Sequence, residues 1–175
     1  PSVGLLSRCD VLSEGSVTID RHGGRDVTRE SCRRQMCVML QDTCIFSANV
    51  RDNIRYGKLD ATDEEIEAAA KAVHAHEFIM GLPDGYDTTV EERGSTFSAG
   101  QRQLIAFARV LLADPRILIL DEATSNIDTR TEEALQAGLR PLLKGRTSFI
   151  LPHRLSPIEN ADQIFYIAHC QIVDH

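Results

Sequence analysis

The sequence predicts an α/β fold with a parallel sheet core, on two observations. Residues 117–120, ILIL, form a continuous aliphatic run entered from the turn signal Asp114-Pro115, the pattern of a strand buried on both faces. Further strand-like runs at 17–20, 36–40, 147–151 and 163–167 are separated by segments of helical period, the alternation of an α/β core. At 175 residues the chain is the size of one domain, which buries roughly 70% of its unfolded surface.

Between the strands, three helices have identifiable starts. Thr62 and Glu65 read as a capping box, IEAAAKAV continues with good helix formers, and Gly81 fits as the terminal cap before the turn LPDGYD. A second helix starts after Ser98, with Leu104, Phe107, Ala108 and Leu111 on one face and Arg102 and Gln103 elsewhere. A third starts near Thr129, where Thr129 and Glu132 again form a capping-box pattern. Its Gly138 and Pro141 predict an end or bend near Leu139. No internal repeat or low-complexity linker is visible.

Composition excludes several functions. With 42% hydrophobic and 26% charged residues and no Trp, the chain reads as globular, and no apolar run approaches the ~18 residues of a membrane helix. A formal net charge of −7 lacks the basic footprint of nucleic-acid binders, so no nucleic-acid partner is expected. The five cysteines are odd in number and match neither a C-x-x-C redox pair nor a zinc knuckle, and they read as reduced thiols. The chain opens on Pro1 with neither Met nor a signal-peptide pattern, which suggests a piece of something longer.

Two stretches carry chemistry. The aliphatic run ends in Asp121-Glu122, and the carboxyl ends of parallel strands open onto a ligand crevice. There Asp121 can hold Mg²⁺ and Glu122 can polarise an attacking water; equally, two acids can simply cap whatever follows the strand. In STFSAGQRQL, a small Ser-Ala-Gly step precedes a helix whose free amides and dipole favour an anion. Ser98 can donate to a phosphate while Gly100 lets the backbone come close, or Ser98 is an N-cap and no more.

Together these segments resemble the nucleotide-binding domain of ATP-binding cassette (ABC) transporters over nearly the whole chain. FSAGQ (97–101) is similar to the signature motif, ILILDE (117–122) to the Walker B strand and SNID (125–128) to the D-loop. VMLQD (38–42) resembles the Q-loop strand, with Gln41 its glutamine, and PHRLS (152–156) the switch region, with His153 its histidine. The motifs stand in family order, with about twenty residues from Gln101 to Asp121 and about thirty more to His153. SANVRDNIRYG, LPDGYDTTVEERGS and DEATSNIDTRTE are similar to the exporter branch, in which membrane-spanning segments are fused ahead of the domain in one polypeptide.

The resemblance implies a P-loop NTPase-like parallel sheet core with an inserted helical subdomain, about residues 47–112, that carries the signature. It implies ATP and Mg²⁺ as ligands and a location on the cytoplasmic face of a membrane. A second nucleotide-binding domain, identical or not, is implied as head-to-tail partner. Ser98, Ala99, Gly100 and Gln101 would serve a nucleotide held mainly by that partner. In the chain's own site Asp121 and Gln41 would stand near Mg²⁺, Glu122 would act as base, and His153 would sense the γ-phosphate; TVEERG (89–94) would touch the transmembrane coupling helices. Ser125 and Asp128 of the D-loop would lie at the domain interface.

The sequence also departs from the family. No G-x-x-x-x-G-K-[ST] phosphate loop occurs; the near miss ending in YGKL has Leu59 in place of the hydroxyl and Asp52 in place of the first Gly. PSVGLLSRCDVLSEGSVTID aligns with the helix that follows that loop, so Pro1 is expected at or just past the loop's end, and the adenine-stacking aromatic is expected further upstream. Arg21, Cys37, Glu91 and Cys170 stand where Gly is common, at about 1 kcal/mol each if the backbone there is left-handed. Pro152 replaces a small residue before His153, and Gly24 and Cys32 take usually apolar positions.

Blander features include His74 and His76, two apart on an expected helix and so not on one face for a metal. DATDEE (60–65) reads as a solvated helix start, and Arg33-Arg34 is too short a basic run to imply a lipid or nucleic acid. The leading function is an ATP-hydrolysing motor of an exporter. The alternative is a degenerate, non-catalytic cassette that completes a partner's ATP site, and the missing loop means that these 175 residues alone are expected to have negligible ATP affinity and to be inactive. A DNA-repair ATPase with a similar signature would need coiled coils and a basic surface, and neither is visible.

Overall fold

The computed structural model describes residues 14–23, 26–39, 44–90, 97–122, 129–152, 161–168 and 171–174. In chain order its elements are a hairpin of β1 (Thr18–Ile19) and β2 (His22–Gly23), α1 (Arg29–Arg34), β3 (Met36–Met39), α2 (Val50–Arg55), α3 (Asp63–Ala72) and α4 (His76–Met80). A 3-10 turn (Gly85–Asp87) leads on to α5 (Ala99–Ala113), β4 (Ile117–Glu122), α6 (Thr129–Leu143), β5 (Thr147–Pro152) and a hairpin of β6 (Tyr166–Ala168) and β7 (Gln171–Asp174).

The α/β prediction holds. β3, β4 and β5 form a parallel sheet in that order, in register from Met36, Ile117 and Thr147 to Met39, Leu120 and Ile150. Leu118, Ile119 and Leu120 are 0%, 1% and 5% exposed, so both faces of β4 are covered and the ILIL run has no polar side to show. Helix α5 leads into this strand through Asp114, which takes the left-handed cap at φ 45° and pairs with Arg146 at 3.0 Å.

Helix α5 is buried on more than the single predicted face. Ile105, Ala106 and Val110 join Leu104, Phe107 and Ala108 in the core because α2, α3 and α6 all pack against it. The strand expected at 163–167 begins only at Tyr166.

Two helix predictions need correction. The helix expected to run from Thr62 to Gly81 is two helices. Its capping box is present, with the Thr62 amide donating to Glu65 Oε2 at 2.9 Å and the Glu65 amide to Thr62 Oγ1 at 3.3 Å. It stops after Ala72, where His74 turns left-handed at φ 60° and the amides of Ala75 and His74 donate back to the carbonyls of Ala70 (2.8 Å) and Lys71 (3.1 Å). These are the two bonds of a Schellman stop, a place where glycine is usual and histidine gives no warning. Gly81 caps only the short α4, at an ordinary φ of −79°. His74 and His76 therefore do not share one helix, and His76 instead shares a hydrogen bond with the Tyr86 hydroxyl at 2.9 Å.

Helix α6 does not end at Leu139; it runs to Leu143 with Pro141 in its last turn. The ring forfeits one bond, to the Ala137 carbonyl, while Leu139 and Leu142, 6% and 0% exposed, hold the turn against the core. Gly138 is there for packing: a Cβ would come 2.6 Å from the Val73 carbonyl oxygen at the end of α3.

The glycine replacements also divide. Asp20 and Arg21, at φ 48° and 67°, form the two-residue link of the β1–β2 hairpin, the conformation that primed turns demand, so Arg21 carries the expected left-handed strain. Cys37 does not, because it lies in β3 with an extended strand backbone. Cys32 is buried in α1 at 6% exposure. Gly24, Glu91 and Cys170 lie outside the described residues.

Candidate functional site

The parallel register sets the first half of the site. Asp121 and Glu122 close β4 opposite Leu151 and Pro152 of β5, so the acids and the residue preceding His153 in sequence stand at one carboxyl edge. Asp121 is half-buried there. In β3, Met39 pairs with Leu120, and Gln41 follows two residues later in sequence, so the three expected ATP-side motifs leave the same edge of neighbouring strands. Gln41, Ser125, Asp128 and His153 themselves lie outside the described residues.

Ser98, Ala99, Gly100 and Gln101 form the second half, the start of α5. Ser98 is an N-cap with extended backbone; its Oγ accepts from the Gln101 amide at 3.2 Å while the Gln101 Oε1 accepts from the Ser98 amide at 3.0 Å. This capping box was not among the sequence expectations, although Ser98 and Gln101 have its spacing. Accepting through oxygen leaves the Ser98 hydroxyl hydrogen free to donate. The first helical bond proper is Arg102 N to Ser98 O at 3.0 Å, so the Ala99 and Gly100 amides keep no acceptor among the described residues at the positive end of a 15-residue helix. Gly100 is buried at this point. The two readings of Ser98 are therefore compatible: it caps the helix and still has a proton to offer an anion.

Behind α5 lies a polar cluster that the sequence reading missed. Arg109 is half-buried, and burial pulls its pKa below the ordinary arginine value. Burial also pushes the Cys37 thiol up, an effect that Arg109 and Arg146 partly oppose. Asn53, wholly buried in α2, is the acceptor and donor at the centre of the cluster. A polar residue among Val50, Ile54 and the other core positions of a short helix was the available signal.

The family model described as ABC transporter matches residues 3–125. Over 170 residues and 97% of this chain, the sequence is 50% identical to the uncharacterized ABC transporter ATP-binding protein YfiC of Bacillus subtilis (strain 168), of which the match covers 28%. It is 49% identical, over 97% of this chain and 30% of the relative, to the ATP-dependent lipid A-core flippase of Desulfotalea psychrophila. A solved bacterial Atm1-family ABC exporter with ATP bound superposes at a TM-score of 0.90 and 38% identity, over 99% of this chain and 30% of its own. The chain thus spans under a third of the length of the relatives it matches. Family model, relatives and shared P-loop NTPase-like architecture agree, and the chain belongs to the ABC transporter family, with the fold of an exporter's nucleotide-binding domain.

Proposed function

We propose that this chain works as an ATP-binding and ATP-hydrolysing motor of a membrane exporter. The observation that carries the reading is the sheet edge where Asp121 and Glu122 end β4 beside Leu151 and Pro152. Asp121 offers a half-buried, hard oxygen donor suited to Mg²⁺, with Gln41 as second ligand. The bound ion would supply neutralisation of phosphate charge. Glu122 polarises the attacking water, and His153 reads the γ-phosphate. Ser98 donates its hydroxyl to a nucleotide seated on a second nucleotide-binding domain, with the Ala99 and Gly100 amides beside it and Gln101 holding the cap together. Ser125 and Asp128 face that partner domain.

Within this reading the helical unit of about 47–112 is the arm that presents the signature, and membrane-spanning segments fused ahead of the domain receive its motion. The domain then sits on the cytoplasmic face of the membrane, and ATP-driven head-to-tail closure of two domains drives transport. The relatives bear names as different as a lipid A-core flippase and an Atm1-family exporter, so the cargo is left unassigned. Replacing Glu122 by Gln in the full-length protein tests the reading: ATP binding is retained and turnover lost.

A further inference from the structure

Arg109 ties two other pieces of chain, residues 44–46 and α2, to its own helix at one point. Its Nε donates to the Asn53 carbonyl at 2.8 Å, Nη2 to Asn53 Oδ1 at 3.0 Å and Nη1 to the Cys44 carbonyl at 3.0 Å. Its guanidinium carbon lies 5.0 Å from the centre of the Phe46 ring and 5.7 Å from that of Tyr56, and the two rings are 4.7 Å apart. Asn53 extends the grip: Oδ1 also accepts from the Phe46 amide at 2.9 Å, and Nδ2 donates to the carbonyls of Phe46 and Asn49, each at 3.0 Å. Just after α2, a Cβ on Gly57 would collide with the Arg109 carbonyl oxygen, so α2 and α5 meet backbone to backbone at the same place.

This is a costly way to fasten two helices. The guanidinium is half-buried and its hydrogen bonds go to neutral oxygens, so the charge is desolvated without a carboxylate in that set. What the arrangement supplies that an apolar side chain cannot is direction: a planar fork fixes residues 44–46 to α5 in one orientation. Residue 44 follows Gln41 by three positions, and Arg109 lies eight residues, about 12 Å of helix, beyond Gln101.

We propose that Arg109 is a positioning residue of the ATPase cycle, a clamp that makes residues 44–46 and the helix presenting Ser98–Gln101 move as one body when nucleotide binds. The proposal rests on the nucleotide-site reading above. It is tested in the full-length transporter by Arg109→Lys, which keeps the charge and stem but gives up the fork. The clamp predicts that kcat for ATP falls about ten-fold per folded molecule while KM stays within about two-fold, as misplacement at a distance does. A merely structural role lowers the melting temperature and leaves kcat per folded molecule unchanged, and that result overturns the proposal.

If Arg109→Lys does not accumulate folded, hydrogen exchange on the unsubstituted transporter decides. The amides of Phe46, held by Asn53, and Arg102, held by Ser98, should gain protection together when ATP is added. Protection at Arg102 alone refutes the clamp. Glu122→Gln in the same preparation separates two failures: lost turnover there with full kcat in Arg109→Lys sinks the clamp only, whereas full turnover in Glu122→Gln sinks the ATPase reading.

Discussion

The helical region and the last three strands, β5 and the separate β6–β7 hairpin, bury themselves very differently. In residues 44–90 and 97–113, Val50, Ile54, Ile66, Val73, Ile79 and Ile105 are wholly buried, and the buried Asn53 side chain has partners for both its oxygen and its nitrogen. Along β5 to β7 several apolar residues are exposed, with Leu151 at 43%, Ile167 at 62% and Ile172 at 61%, although Ile150 packs against the core. Ser148 Oγ in β5 and Arg146 Nη1 just ahead of it are buried without a hydrogen-bond partner among the described residues. Among the described strands β5 pairs only with β4, so its other edge has no strand partner among the described residues. The helical region is closed by its own residues, whereas the described residues of these strands leave large apolar side chains uncovered.

That contrast can be broken by mutation. Ile105→Ala, in the closed region, is expected to cost about 4 kcal/mol, through lost transfer energy and the cavity left behind. Leu151→Ala, in β5, should cost under about 1 kcal/mol because little apolar area is lost. Urea unfolding of both variants checks this, and equal costs would erase the distinction. A smaller effect is expected at Arg21, outside both regions. Arg21→Gly should stabilise the hairpin by about 1 kcal/mol, since glycine takes φ 67° without a Cβ penalty, and hydrogen exchange at β1–β2 reports it.

Tyr86 sharpens the picture of the closed region. Burial, helped by the charge of Glu67 and opposed by Arg51, pushes its pKa up to about 12. Its folded-state pKa is raised above the unfolded value of about 10, so the contribution to stability is present below pH 10 and is lost as pH climbs toward about 12. Ultraviolet titration should show one late phenolate that Tyr86→Phe removes, and the variant's stability should fall less than the parent's over that window.

The sequence revealed what is decided locally. A two-faced strand is legible in ILIL, and the box around α3 is legible in Thr62 and Glu65, because each depends on residues a few positions apart. The stop at His74 was not, since a Schellman turn on histidine is imposed by how Val73 and Ala75, both 0% exposed, bury on either side of it. Nor was the full length of α6, where burial of Leu142 outweighs the lost bond at Pro141. At the candidate site the strand-end acids and the Ser98 start could be read directly. The Arg109–Asn53 contact could not, because it joins residues 56 apart, and only the folded chain brings them together.

The central claim is that the strand ending in Asp121 and Glu122 serves ATP hydrolysis. The most direct measurement is ATP binding and single-turnover hydrolysis by the full-length protein with Glu122→Gln. Binding within about two-fold of the parent with turnover reduced at least about a hundred-fold is the predicted result. Hydrolysis at the parent's rate would contradict the account and leave Glu122 as no more than a residue at a strand's end.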